Sequence, residues 1–181
     1  MNLPNKLTVL RVAAIPVIVA LLSIAQPACQ IAATVLFVLA CLTDWLDGFV
    51  ARKQGIVTDF GRFLDPVADK LLVLCTMITL SGLGRLPAWV CVAVLFRELM
   101  VDGLRLVAVQ KGVVIAAGKL GKIKTVLQMI MVLAVLLNIQ ALKDLWIDQA
   151  LIVLAILMTA WSGADYFFRN RAVFVQEKGN G

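Results

Sequence analysis

Residues 44–70 read DWLDGFVARKQGIVTDFGRFLDPVADK and contain five of the eleven acidic residues of the chain. They lie between two apolar segments of a 181-residue chain that is 62% hydrophobic and 15% charged. A soluble globular chain is about half apolar and about a quarter charged. The acidic stretch is therefore where the polar chemistry of an otherwise apolar chain is concentrated.

Apolar runs of about 20 residues, the length a helix needs to cross a bilayer, recur along the chain. We find six, at residues 8–24, 31–50, 64–82, 87–108, 120–140 and 148–168. The sequence therefore predicts an all-α, polytopic membrane protein with six transmembrane helices, preceded by a short N-terminal interfacial segment. A soluble helical bundle is the alternative, but it would need polar outer faces that these segments lack. With no repeat or long linker in the sequence, residues 1–181 are predicted to form a single membrane domain.

Basic residues cluster at the N-terminus, in the second and fourth connections and in the tail. The other three connections contain only Arg85 and Lys143. Because cytoplasmic loops carry the excess of Lys and Arg, both termini and the acidic stretch are predicted to face the cytoplasm of a bacterial-type inner membrane. The formal net charge of +6 then reflects topology and attraction to anionic lipid. Nucleic-acid binding is not predicted, because basic residues are not interleaved with aromatic ones.

The N-terminus has one alternative interpretation. Lys6 followed by an apolar run is also typical of a secretory signal peptide. Arg11 interrupts that run, and five further apolar segments follow it. Retention as the first span is therefore favoured.

Several kinds of chemistry are excluded by what the sequence lacks. It contains no histidine, which removes Ser-His-Asp triads and histidine zinc sites. Its four cysteines have no C-x-x-C spacing, and no phosphate-binding loop of the G-x-x-x-x-G-K-[ST] type is present. A general base in this protein must be a carboxylate, or a lysine or cysteine with an unusual pKa.

The acidic stretch forms two helical stripes. The first has the spacing i, i+3, i+4, i+7, i+8 and comprises Asp44, Asp47, Gly48, Ala51 and Arg52. The second has the spacing i, i+4, i+8 and comprises Gly61, Asp65 and Asp69. Gln54-Gly55 predicts the turn between them, and Thr58 or Asp59 can cap the second helix. The four stripe aspartates then lie about 7–15 Å from the turn, at about 1.5 Å per residue, and can converge.

Four converging carboxylates within a bilayer require compensating positive charge. Each costs at least about 2.5–3.5 kcal/mol there, and Arg52 and Arg62 are too few to offset four. Oxygen-only ligation favours Mg²⁺, Mn²⁺ or Ca²⁺, and two such ions about 3.5–4 Å apart are typical of phosphoryl chemistry. Solvated carboxylates at helix ends are the alternative, which we adopt for Asp59 only.

The two stripes resemble a known family signature. Asp44-x-x-Asp47-Gly48-x-x-Ala51-Arg52, then eight residues, then Gly61-x-x-x-Asp65-x-x-x-Asp69 is similar at every fixed position to the CDP-alcohol phosphatidyltransferase family. The similarity extends to the N-terminal stretch 2–11, to 64–70, to Arg97-Glu98, to 121–128 and to 161–166. These segments most resemble family members whose acceptor is glycerol 3-phosphate. Asp102 departs from the pattern, where a small or hydroxylated residue is expected.

The resemblance implies a transfer from CDP-diacylglycerol to glycerol 3-phosphate, with release of CMP, in a membrane-embedded homodimer. It implies that Asp44, Asp47 and Asp65 ligate two Mg²⁺ or Mn²⁺ ions, with Asp69 sharing in ligation and acting as the catalytic base. The residues that it assigns to the CDP-lipid are Gly48, Ala51, Arg52, Thr58 and Gly61.

A phosphorylated acceptor also needs cations of its own. Four basic residues on the cytoplasmic side are candidates, because arginine suits bidentate phosphate contact and lysine supplies a point charge: Arg97, Arg105, Lys122 and Lys124. Glu98 and Asp102 can brace the arginines. Lys111 and Lys119 are interpreted as topology signals only.

Two other functions stay open at this point. The same chemistry could use another acceptor, such as inositol phosphate or serine. A divalent-cation transporter could use the carboxylates as an ion path, although transporters place such sites near the midplane between inverted repeats, and the sequence has no repeat.

Overall fold

The computed structural model describes residues 3–54, 59–113, 115 and 118–171, with the backbone alone at 3–5, 44–54, 59–63 and 141. The regular elements of this described part are helices, as predicted. They are α1 (Leu3–Ser23), α2 (Pro27–Gln54), α3 (Asp59–Gly82), α4 (Ala88–Gln110), α5 (Lys119–Leu137), α6 (Gln140–Asp144) and α7 (Ile147–Arg169). All except the five-residue α6 correspond to predicted spans.

The helices extend beyond several of the predicted boundaries. Helix α1 begins at Leu3, so the described residues do not separate the predicted interfacial segment from the first helix. Proline is tolerated in a first helical turn, where its missing N–H would have no helical partner, and both Pro4 and Pro27 lie there. Helix α3 begins at Asp59 rather than at 64. The predicted boundaries lie where an apolar run meets its first polar residues. Helical backbone hydrogen bonding continues through such polar residues, so the helices are longer than the apolar runs.

Three of the helices are long and apolar enough to cross a membrane in the part of the chain that is described. They are Lys6–Ser23, Lys119–Leu137 and Ile147–Arg169, and a shorter apolar stretch covers Pro27–Thr43. Helices α3 and α4 carry too many charged residues to join this group. Those charged residues include the aspartates and arginines that the sequence marks as functional.

The distribution of polarity is inverted relative to a soluble protein. Large apolar side chains are exposed, including Leu10 at 63%, Ile31 at 65% and Phe96 at 66%. Charged side chains are buried, including Arg11 at 2% and Lys124 at 3%. Lipid accommodates the exposed apolar surface, and charges within a bilayer face the protein interior. The chain is therefore an integral membrane protein.

The helices divide into two compact units. Unit 1 comprises α1, α2, α3 and the end of α5, and unit 2 comprises α4, most of α5, α6 and α7. In unit 1, α1 packs against both α2 and α3. The buried residues of this unit include Ile18 and Leu22 of α1 and Phe37 of α2. The prediction of a single catalytic domain stays a prediction.

In unit 2, the main packing is between α4 and α7. Val101 and Leu104 of α4 form a buried cluster with Tyr166 of α7, and Ile115 packs against it. This cluster lies beside the charged residues of α4, so it holds them in place relative to α7.

Candidate functional site

The first aspartate stripe lies on α2. The helix runs without interruption from Pro27 to Gln54, so its backbone gives Asp44, Asp47, Gly48, Ala51 and Arg52 the helical spacing predicted for them. Their side chains lie outside the described residues, and Gly61 of the second stripe is described by its backbone only. Thr58 lies outside the described residues altogether. The convergence of four carboxylates therefore stays a prediction.

The second stripe lies on α3, and two of its side chains are described. Asp65 and Asp69 are one helical turn apart, and both are partly buried. Thr8 Oγ1 donates a hydrogen bond to Asp65 Oδ1 at 2.5 Å. Arg11 Nη1 donates to Asp69 Oδ1 at 2.8 Å, with side-chain exposures of 1% for Arg11 and 31% for Asp69. Both predicted carboxylates are thus held by α1.

The sequence predicts no site residue on α1, although α1 supplies the side chains that bond to Asp65 and Asp69. Thr8 and Arg11 are three residues apart, which places them on one face of α1. A signal for Arg11 was present, because an arginine within an apolar span is by default a functional candidate. Thr8 carried no comparable signal, since a threonine in a span commonly bonds its own backbone.

The donor set on α3 suits a hard divalent cation. Carboxylate oxygens are the ligands that Mg²⁺ and Mn²⁺ prefer, and Asp65 and Asp69 present theirs one turn apart. Among the described residues, no group of three or more ligating side chains is assembled. Asp44 and Asp47, the other two predicted ligands, are described by their backbone only.

A second charged group lies in unit 2, centred on Glu98 of α4. Arg97 Nη1 donates to Glu98 Oε1 at 3.0 Å, and Lys124 Nζ of α5 donates to the same oxygen. The side chains of Arg97, Glu98 and Lys124 are 13%, 9% and 4% exposed. The expected brace between Glu98 and Arg97 is therefore present. Of the described side chains, these three bring two cations and one anion together in a buried position.

Two glycines leave room for the Arg97 side chain. A Cβ added at Gly163 of α7 would lie 3.2 Å from Arg97 Cγ, and one added at Gly121 of α5 would lie 3.8 Å from Arg97 Nη2. The Gly163 distance is tighter than nine in ten real Cβ contacts, so a side chain there would push the Arg97 stem by a few tenths of an ångström. Helices α5 and α7 therefore shape the position of a residue carried by α4.

Arg105 lies two helical turns after Arg97 on α4 and has a different partner. Its Nε donates to Tyr166 Oη at 3.1 Å, and its guanidinium carbon lies 5.5 Å from the centre of the Tyr166 ring. Tyr166 is 6% exposed and is the one tyrosine of the chain. The structure thus brings Arg97 and Lys124 together through Glu98, holds Arg105 separately through Tyr166, and leaves Lys122 exposed.

Comparison with known proteins shows which family and which proteins this chain is similar to. Residues 1–161 match the profile of a family described as CDP-alcohol phosphatidyltransferase. A Bacillus subtilis protein named CDP-diacylglycerol–glycerol-3-phosphate 3-phosphatidyltransferase is 42% identical, with 93% of this chain and 95% of that protein covered. An Escherichia coli protein of the same name is 35% identical, with 94% and 96% covered. A Mycobacterium tuberculosis protein named probable phosphatidylglycerophosphate synthase is 41% identical, with 93% and 81% covered.

Proposed function

Because the chain belongs to the CDP-alcohol phosphatidyltransferase family, we propose that it is the enzyme that makes phosphatidylglycerol phosphate. It transfers a phosphatidyl group from CDP-diacylglycerol to sn-glycerol 3-phosphate and releases CMP. The observation that carries the proposal is the near full-length similarity to relatives named for this reaction, in a chain whose aspartates match the complete family signature.

The bond changes of the transfer assign a role to Asp69. The acceptor hydroxyl loses its proton to the Asp69 carboxylate, and its oxygen forms a bond to the β-phosphorus of the nucleotide lipid. The bond from that phosphorus to the bridging oxygen breaks, and CMP leaves with the electron pair. A carboxylate suits this role because the chain has no histidine, and Arg11 holds one Asp69 oxygen in a fixed direction.

The carboxylates of Asp44, Asp47 and Asp65, with Asp69 sharing, are the proposed ligands of two Mg²⁺ or Mn²⁺ ions. When bound, such ions supply charge neutralisation on the diphosphate and on the departing CMP. Arg52 contacts the nucleotide lipid in this proposal, and the lack of large side chains lets the lipid approach the two helices. The positions concerned are Gly48, Ala51 and Gly61, with Thr58 as a further contact.

The acceptor phosphate is proposed to bind the cations of unit 2. Arg97 and Lys124 already share the Glu98 carboxylate, so their positions are set before any ligand arrives. Preorganised donors of this kind lower the cost of ordering on binding. Arg105, which Tyr166 holds, and the exposed Lys122 are proposed as further phosphate contacts.

The protein is further proposed to cross the membrane six times as a homodimer, with its site and both termini on the cytoplasmic side. The supporting observations are the six long helices of the described residues and the concentration of basic residues in alternate connections. The acidic residues lie at the end of α2 and the beginning of α3, beside a basic connection, on the side where soluble glycerol 3-phosphate is available.

An acceptor assay tests the proposed reaction. Detergent-purified protein is given CDP-diacylglycerol and Mg²⁺ with glycerol 3-phosphate, serine or inositol phosphate in turn, and CMP release is measured. We expect release with glycerol 3-phosphate only, loss of release with EDTA, and recovery with Mg²⁺ or Mn²⁺. Release with serine but not glycerol 3-phosphate would reassign the acceptor. Metal flux into liposomes without any turnover would favour a transporter.

A further inference from the structure

Arg11 is an unusual residue for its position in the chain. It lies within the apolar window Lys6–Ser23, in a helix otherwise suited to crossing a membrane. A lipid-facing arginine at such a place would be strongly unfavourable, yet Arg11 is among the largest fully buried side chains of the protein. The charged group of Arg11 therefore faces the protein interior, where it must have a partner.

The partners of α1 are two of the signature aspartates. Arg11 pairs with Asp69 at 2.8 Å and Thr8 donates to Asp65 at 2.5 Å. Thr8 is 1% exposed and Arg11 2%, so both bonds are formed by side chains that solvent barely reaches. Buried charge-assisted hydrogen bonds are stronger than those at a surface because water does not compete for them.

The two bonds also share one register. Moving three residues forward on α1, from Thr8 to Arg11, corresponds to moving four residues forward on α3, from Asp65 to Asp69. This pairing is possible only where the two helices run in the same direction with these faces opposed. Two such bonds one turn apart restrict both the sliding and the rotation of α1 against α3, and they restrict the rotation of each carboxylate.

We propose that Arg11 and Thr8 are positioning residues of the transfer site. From α1 they orient the carboxylates of Asp69 and Asp65, and Arg11 provides the permanent counter-charge that stabilises the aspartate site before divalent ions bind. This inference rests on the proposed function for its effect on turnover. Its effect on the metal-free protein depends only on the geometry.

A purely structural ion pair would behave differently. Arg169 and Asp165 provide the comparison in the same chain, because their pair at 2.7 Å is of similar length but Arg169 is 73% exposed. Exposed pairs of that kind contribute little to stability. Arg169→Gln is therefore the matched control for Arg11→Gln, since each removes one arginine from one aspartate.

The first experiment uses no substrate. Metal-free protein in detergent is melted as the wild type, Arg11→Gln, Asp69→Asn and the double variant. Arg11→Gln is expected to lower the melting temperature by a few degrees, because it removes the arginine charge from a partly buried carboxylate. The double variant is expected to lose less than the two single losses added together. Addition of Mn²⁺ should raise the melting temperature of Arg11→Gln more than that of the wild type, because the ion replaces the missing charge.

The second experiment measures turnover per folded molecule. Arg11→Gln is expected to reduce kcat about 10- to 100-fold, as removal of residues that orient metal ligands commonly does, while KM for glycerol 3-phosphate changes less than about twofold. Arg11→Lys should recover part of the loss. Thr8→Val and Thr8→Ser test the inference even if Arg11→Gln does not fold. Valine removes the hydrogen bond to Asp65 at similar side-chain volume, whereas serine keeps it.

Two results would overturn the inference. One is an equal Mn²⁺-induced rise in melting temperature for Arg11→Gln, Arg169→Gln and the wild type. The other is unchanged kcat in both Arg11→Gln and Thr8→Val, or in Thr8→Val alone where Arg11→Gln does not fold. Neither coincides with failure of the proposed function, which would appear as a wild type that binds Mn²⁺ but releases no CMP with glycerol 3-phosphate.

Discussion

Asp69 combines two demands that conflict in an apolar surrounding. As the proposed base, it must stay charged to accept a proton, and its charge must be stabilised before substrate binds. The Arg11 guanidinium at 2.8 Å and an exposure of 31% meet both, because the arginine stabilises the charge and the carboxylate is not sealed from its surroundings. A fully buried and unpaired carboxylate would be far less stable.

Replacing Asp69 by Asn tests its role as the base. The amide keeps the size of the side chain but cannot take the proton, so kcat should fall by about 10²–10⁴-fold, the usual contribution of a general base. Binding of CDP-diacylglycerol, measured by equilibrium binding to the purified variant, should change little. Normal turnover in Asp69→Asn would refute the assignment.

Glu98 is a buried carboxylate of the proposed acceptor site. One of its carboxylate oxygens, Oε1, accepts hydrogen bonds from both Arg97 and Lys124. Its negative charge therefore offsets the repulsion between these two buried cations. Glu98→Gln should reduce stability by about 3–5 kcal/mol, the cost of leaving a buried charge without its partner, and should raise KM for glycerol 3-phosphate more than it lowers kcat.

A double variant provides the control for Glu98. Removing the lysine charge as well, in Glu98→Gln with Lys124→Met, should restore much of the stability measured by thermal unfolding in detergent, because no uncompensated lysine remains. Acceptor binding should stay weak in the double variant. Equal melting temperatures for the wild type and Glu98→Gln would show that the carboxylate is not needed as a counter-charge.

Helix packing explains why the glycines of unit 2 are not interchangeable. Gly163 of α7 faces the stem of Arg97 closely, whereas a Cβ at Gly103 of α4 would meet nothing within 4 Å. The same kind of substitution should therefore have opposite effects at the two positions. Of these two positions, only Gly163 lies against Arg97, a residue of the proposed acceptor site.

Substitutions at these two glycines test that difference. Gly163→Leu should displace Arg97 and raise KM for glycerol 3-phosphate at least about tenfold, a change typical of lost positioning. Gly103→Leu should leave KM unchanged and keep or increase stability by up to about 1 kcal/mol, since leucine favours a helix more than glycine does. Steady-state kinetics and thermal unfolding of both variants give the comparison, and similar KM values would contradict the role of Gly163.

For the molecule as a whole, the inverted distribution of polarity requires a bilayer, and the basic connections predict its orientation. Two reporters fused in turn after the C-terminal tail test this orientation. A fluorescent protein, which is active in the cytoplasm, should be active there, and a phosphatase that is active only in the periplasm should be inactive. The same two reporters placed beside Arg85 should give the opposite pattern. Phosphatase activity at the C-terminus would reverse the proposed topology.

The amino-acid sequence determined the helices and the identity of the charged residues. Apolar length alone predicts helices that cross a bilayer, and fixed spacing alone places the aspartates on stripes of α2 and α3. It also marked Arg97, Glu98 and Lys124, because charges are too costly in an apolar chain to be retained without use. These conclusions depend on local periodicity and composition, which are read along the chain.

Tertiary structure alone decided which of those residues meet. Nothing in the spacing of Thr8 and Arg11 indicates that they pair with Asp65 and Asp69, 57 and 58 residues away. Likewise, the sharing of one Glu98 oxygen by Arg97 and Lys124, and the support of Arg105 by Tyr166, follow from how α4, α5 and α7 pack. Such contacts depend on the rotation and register of whole helices, which are set by the shapes of many side chains together rather than by any one motif.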